Sequence, residues 1–422
     1  MSQLKQKIAS IAKNKEAKTV AGNFVWLSAL QVAGYIFPLI TLPYLSRVIG
    51  VEGFGKIAFA AAVMVWIQTI ADWGFNLTAT RDVAQHRDNK EKVSEIFSNV
   101  LWARCLLMLL SFIVLSFLVI VVPKFREEWL VIMVTFLMIP GHIFFPDWFF
   151  QGMEKMKYTT ILNVVMKLFF TIMIFIFVKQ PEDYILQPLF TSLGYVFSGL
   201  IALYIILGKW GISIKRPNKK NILQTIKGST DVFINNLAPN LYNSLSVVLL
   251  GFFGGGTANG IYEGGNKFVS IISNFTNVIS RAFYPFLSRR PDKHSLYVKL
   301  TIPIITIVSV VLYITAPWMV KVMLSPEFHN SIIVIRILAV SLVFNAISTA
   351  YGACYLVVQN RTKILRQLTL ICSIVGFLIA IPLVYYYTYV GVALTVTISR
   401  ALLGFTSYLA AKSNKTELWN TK

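Results

Sequence analysis

The chain has 422 residues, 56% of them hydrophobic and only 14% charged, with a mean hydropathy of +0.66 and a formal net charge of +21. A soluble protein carries about a quarter charged residues, so this composition excludes a soluble enzyme of two or three domains. In so apolar a chain the 39 basic against 18 acidic residues point to membrane topology and away from nucleic acid.

Runs of about twenty apolar residues, enough to cross the hydrocarbon core, predict twelve helices in chain order. They lie at 22–43, 55–76, 99–122, 129–150, 159–178, 187–207, 230–252, 260–281, 299–318, 331–356, 368–387 and 391–411. The first run is too long for a signal-peptide core, and no cleavage site is expected after it. The spans divide as six and six. A basic N-tail (1–20) precedes an N-terminal bundle (21–207), then come a basic linker (208–229), a C-terminal bundle (230–411) and a C-tail (412–422). If both tails are cytoplasmic, and the span-end residues Lys56, Arg281 and Lys299 are counted with the loops they adjoin, 28 basic residues fall in inner regions and six in outer loops, with five inside spans. That bias places both termini in the cytoplasm.

The loops are too short for a nucleotide-binding or catalytic domain, which needs at least ~50 residues. No GxxxxGK[ST] phosphate loop is present, which excludes an ATP-driven pump within the chain. Gly254-Gly255-Gly256 reads as a tight hairpin, echoing Gly50-Val51-Glu52-Gly53-Phe54-Gly55 half a chain earlier. An even number of spans per half makes this a parallel repeat about an axis along the membrane normal. Cys105, Cys354 and Cys372 sit in apolar runs without CxxC spacing and read as small buried residues.

Polar groups inside spans are costly, about 2.5–3.5 kcal/mol per charge at mid-helix. They should therefore face protein or a hydrated passage. In the eighth span Asn259, Glu263, Asn266, Lys267, Ser270, Asn274, Asn277 and Arg281 recur at steps of three or four, on one helix face. The seventh adds Asn236, Asn240, Asn243 and Ser246, and the first two spans a weaker set ending in Gln68, Asp72 and Asn76. A cavity between the two halves, lined by the first two helices of each, follows as an expectation. Asparagine matches sugar hydroxyls, which need donors and acceptors, and Lys or Arg suits phosphate.

The intramembrane charges carry competing readings. Glu263 and Lys267 either neutralise one another as i,i+4 neighbours or serve substrate and coupling. Arg104 lies near an inner span end, where it can snorkel. Lys167 is mid-span, where snorkelling is hard, which favours function. Asp72 is read as a cation or proton site, or as a cap or a partner of Arg81. Asp147 and Asp231 are read as caps, and His142, alone on an apolar span, as structural.

Several stretches carry a family resemblance. They are Pro43-Tyr44-Leu45-Ser46-Arg47-Val48-Ile49-Gly50-Val51-Glu52-Gly53-Phe54-Gly55, the run from Asp72-Trp73-Gly74 to Ala84, Pro146-Asp147-Trp148-Phe149-Phe150-Gln151-Gly152, and Tyr284-Pro285-Phe286-Leu287-Ser288-Arg289. Over essentially its whole length the chain resembles Wzx-type polysaccharide flippases of the MOP transporter superfamily. The resemblance implies an all-α membrane protein of twelve helices in two six-helix bundles, V-shaped about a pseudo-twofold axis. It implies export of undecaprenyl-pyrophosphate-linked oligosaccharide for O-antigen or capsule, alongside polymerase and chain-length proteins, without a cofactor. On that reading Lys267, Lys167 and Arg104 are candidates for the pyrophosphate. Asn236, Asn240, Asn243, Asn266, Asn274, Asn277 and Arg281 complete the substrate set, and Asp72 and Glu263 are candidates for proton or sodium coupling. Lys167 stands where Arg is common in relatives, which keeps the charge without bidentate geometry. Two rivals remain open: a drug/cation antiporter of the same superfamily, and a membrane-embedded glycan polymerase or ligase.

Overall fold

The computed structural model describes residues 15–419, with the side chains of 15–21, 24, 281, 282, 285 and 414–419 outside the description. All regular structure among the described residues is helical. Lipid offers backbone groups no hydrogen-bond partners, so a chain of this hydropathy satisfies them internally.

The first hairpin joins α1 (Lys15–Val48) to α2 (Gly50–Asp72) at Gly50, whose φ of +64° is the left-handed conformation that glycine adopts freely. A second sharp joint at Trp73 and Gly74 leads into α3 (Phe75–His86). Asn89 caps α4 (Lys90–Val121) by accepting the Lys92 amide at 3.0 Å. The expected 129–150 span follows the short α5 (Pro123–Glu127) and is broken into α6 (Trp129–Phe136), α7 (Met138–Phe144) and α8 (Asp147–Gly152). Next come α9 (Met156–Phe177), α10 (Leu186–Tyr204), α11 (Lys219–Leu237), α12 (Ser244–Phe253) and α13 (Gly255–Arg289). The chain ends with α14 (His294–Met323), α15 (Ser331–Ser348) and α16 (Thr362–Trp419).

Among the described residues nine segments are long and apolar enough to cross a membrane. They include the first six expected spans and those at 299–318 and 331–356. The last two expected spans lie in α16, which is helical throughout except at Thr388 (φ 49°, ψ −122°). There Tyr385, Tyr386 and Tyr387 are exposed, as aromatic residues are at a membrane interface. The expected spans 230–252 and 260–281 are not among the nine. The first is broken by a 3-10 turn at Ala238–Leu241, where Pro239 lacks an amide. The second lies within the 35-residue α13, whose polar face lowers its hydropathy.

The chain forms two compact units. The first comprises 1–41, 67–179 and 185–234. Its core is aromatic: Phe97, Trp148, Phe149 and Phe150 are buried, and Phe97 meets Phe149 edge-on at 5.1 Å. Gly141 of α7 packs on the Tyr195 backbone of α10, and Gly199 on the Gly141 carbonyl, so these helices approach closely. On α4, Ala103, Arg104, Leu107, Ser111 and Leu115 are buried, while Leu109, Leu110, Ile113, Val114 and Phe117 are exposed. That second face is the one lipid tails would cover.

The second unit comprises 42–66, 180–184 and 235–422, so it takes the turn of the first hairpin. The two glycine motifs that echo across half the chain meet there. A β-carbon on Gly55 would collide with the Gly256 carbonyl, and one on Gly260 with that of Val51. Gly255, at φ +71°, turns α12 into α13 as Gly50 turns α1 into α2. The hairpin is pinned by Glu327, which accepts the Val51 amide at 2.9 Å, and by Arg47, which donates to the Val322 carbonyl at 3.0 Å.

Candidate functional site

The residues singled out from sequence fall into two groups, one in each unit. In the first, Arg104 sits on the buried face of α4, 4% exposed. Its guanidinium bonds the carboxylate of Asp72 at the end of α2, which corrects both the snorkelling reading and the pairing with Arg81. Arg81 is instead held by its neighbour Asp82 at 2.9 Å. Asp72 is placed by the joint that follows it. The Trp73 ring stacks on Phe233 (3.8 Å, 4° between planes), and its indole N–H donates to Thr230 at 3.3 Å.

Two more N–H groups of Arg104, at Nε and Nη1, are buried without an acceptor among the described residues. His142 of α7 and Asp147 at the start of α8 lie within electrostatic range of both Asp72 and Arg104. His142 stacks on Tyr195 (4.0 Å, 28°), and Asp147 accepts the Trp148 amide at 2.8 Å. Neither was isolated from the sequence as a member of this group. Asp147 does occupy a helix start, as its cap reading expected, but residues 72, 104, 142 and 147 lie on four helices. No spacing rule links them.

Lys167, on α9, is half-buried, with its ammonium beside Gly34 of α1, 3.6 Å from where a β-carbon would stand. Among the described residues no carboxylate reaches it. That distinguishes it from Arg104 and from Lys267.

In the second unit, Lys267 and Glu263 are paired at 2.7 Å, and Asn266 donates to the other carboxylate oxygen at 3.1 Å. The periodic face read from sequence exists on α13. Asn266, Lys267 and Ser270 are partly accessible and Asn274 and Asn277 exposed, while Phe268, Val269, Thr276 and Ser280 are buried. Asn259 departs from it, being fully buried. The companion stripe is not one face of one helix, because Asn236 ends α11, Asn240 lies in the 3-10 turn and Asn243 precedes α12. Asn243 uses its amide on the Pro239 carbonyl at 3.0 Å. The side chain of Arg281 lies outside the described residues. Arg400, outside the candidate set, donates to Ser341 at 2.9 Å and acts electrostatically on Tyr242 and Tyr262. Arg336 lies over the Tyr313 ring at 5.2 Å.

The sequence and the fold have known counterparts. Residues 20–291 match the family described as polysaccharide biosynthesis protein. Over 410 residues, 95% of this chain and 99% of the relative, the sequence is 27% identical to an Escherichia coli (strain K12) protein named "Putative O-antigen transporter". The fold resembles that of the lipid II flippase MurJ in its inward closed conformation, with a TM-score of 0.72 at 12% identity, covering 92% of this chain and 87% of that one. It also resembles an outward-facing multidrug resistance MATE family transporter of the MOP superfamily, with a TM-score of 0.59 at 15% identity, covering 98% of each chain. At such identities the likeness to solved structures concerns fold alone. The helical membrane fold, the hairpin and loop motifs and the match across most of the sequence converge: this chain belongs to the polysaccharide biosynthesis protein family and carries the fold of MOP-superfamily transporters.

Proposed function

We propose that the protein is a flippase that moves undecaprenyl-pyrophosphate-linked oligosaccharide from the cytoplasmic to the outer leaflet of the bacterial inner membrane. The observation that carries this reading is Lys167. A charge at mid-span costs about 2.5–3.5 kcal/mol on insertion scales, and Arg104 and Lys267 each offset theirs against a carboxylate. Among the described candidate cations, Lys167 is left to meet an anionic ligand, and a pyrophosphate supplies one. The accessible asparagines of α13 would contact sugars, with Lys267 and Arg104 joining once their carboxylates are neutralised. Proton or sodium coupling would then act at Glu263 and Asp72 by releasing those cations.

In this reading the chain crosses the membrane twelve times in two six-helix bundles, with the polar segments 230–252 and 260–281 shielded from lipid. Both termini are cytoplasmic, transport proceeds by alternating access, and partners include polymerase and chain-length proteins of the same pathway. A drug or cation antiporter would need a carboxylate open to a cationic ligand, whereas Asp72 and Glu263 are both bound to cations.

The test is leaflet accessibility of defined undecaprenyl-pyrophosphate-linked oligosaccharides in proteoliposomes, with and without an ion gradient. Lys167→Ala should abolish movement and Lys167→Arg should retain it, at equal protein levels. Wild-type flipping by Lys167→Ala would remove that assignment. No movement by the wild type would refute the flippase reading itself.

A further inference from the structure

A cleft of about 370 Å³ opens in the first unit where α3, the start of α4 and α11 meet. Its size falls within the ~300–1,000 Å³ range of small-molecule sites. None of the transport candidates lines it. Its charges are already matched: Arg81 is held by Asp82 and Lys92 by Glu95, each at 2.9 Å. An incoming anion or cation would have to displace a partner to bind.

The neutral lining is different. Asn99, Asn221 and Gln224 border the cleft, and their side-chain amides make no hydrogen bond among the described residues. Each amide offers two donors and an acceptor. The hydroxyls of Thr78 and Ser229, by contrast, are joined to each other at 2.7 Å.

Gly228 supplies the second, independent observation. It sits inside α11 with no left-handed φ, and a β-carbon there would meet nothing within 4 Å. Glycine destabilises a helix interior relative to alanine, and neither backbone conformation nor packing requires it at this position. What it does is leave the cleft wall without a side chain.

We infer that this cleft is a glycosyl-binding site that takes one or two neutral sugar rings. Its amides pair with ring hydroxyls, its matched ion pairs add donors and acceptors without net charge, and Gly228 admits the ring. The choice of a sugar among neutral polar ligands rests on the reading of this protein as a carrier of lipid-linked glycans.

The experiment uses purified full-length protein carrying Ile96→Cys, which lines the cleft without a part in the proposed sugar contacts, with the unsubstituted protein as the blank for Cys105, Cys354 and Cys372. Maleimide labelling is followed with millimolar neutral mono- and disaccharides, and in parallel with inorganic pyrophosphate. Thr225→Cys, another lining position, is the second reporter should the first variant express poorly. A bound sugar slows labelling by one plus the ratio of its concentration to its Kd, about tenfold at ten times Kd. Adding Asn99→Ala should reduce that protection. Protection by saccharide and not by pyrophosphate supports the site. Protection by pyrophosphate alone, or by neither, overturns it. Flipping by the wild type is scored separately, so loss of protection with flipping intact removes this site and leaves the flippase reading standing.

Discussion

The ion pair between Asp72 and Arg104 makes an asymmetric prediction. The Arg104 side chain is 5% exposed and that of Asp72 is 30% exposed. Asp72→Asn leaves a buried guanidinium that already holds two unsatisfied N–H groups, and stranding such a charge costs about 3–5 kcal/mol. Arg104→Met leaves a carboxylate that is less deeply buried, so the loss is smaller, about 2 kcal/mol. Removing both charges at once exchanges the pair for a near-isosteric neutral and apolar set, often close to neutral for stability. The double variant should therefore fall within ~1–2 kcal/mol of the wild type, giving a coupling of about 3–6 kcal/mol. Unfolding of purified protein in mixed micelles by a denaturing detergent, followed by tryptophan fluorescence, measures all four corners of the cycle. Additive single effects would refute the argument, as would a larger loss from Arg104→Met than from Asp72→Asn.

The glycine contacts separate steric from conformational demand. Gly55→Ala drives a β-carbon into the Gly256 carbonyl and should cost about 1–3 kcal/mol or more, read as loss of folded yield and midpoint. Gly255→Ala meets open space but a φ of +71°, so about 1–2 kcal/mol is expected from strain alone. Glu327→Ala strips the Val51 amide of its acceptor and should cost about 1–3 kcal/mol in the same assay. Gly228→Ala should instead stabilise the protein by up to about 1 kcal/mol, seen as a raised unfolding midpoint. A destabilised Gly228→Ala would mean that packing, not an open cleft, selects the glycine.

The sequence by itself determined the helical membrane class, because twenty-residue apolar runs have few other stable outcomes and lipid forces the backbone to satisfy itself. It determined the polar face of α13, since a 3.6-residue period is a property of one helix and needs no neighbour to be read. The motifs around Gly50, Asp72 and Asp147 carried the family, and the structure gives them work as hairpin contact, helix joint and aromatic core. The break after α11 was signalled by Pro239, yet the steps of three and four among Asn236, Asn240 and Asn243 imitated a continuous helix. Only the tertiary structure decided which charge meets which. Periodicity says where a side chain stands on its own helix, not which helix lies opposite. Arg104 found Asp72 rather than the bilayer edge because the buried face of α4 meets the end of α2. Close approach at Gly141 and Gly199 sets α7 against α10, with His142 stacked on Tyr195. Among the described residues no carboxylate reaches Lys167, which stands beside Gly34. In a medium where an unpaired charge is so costly, that choice of neighbours is what sets Arg104 and Lys267 apart from Lys167.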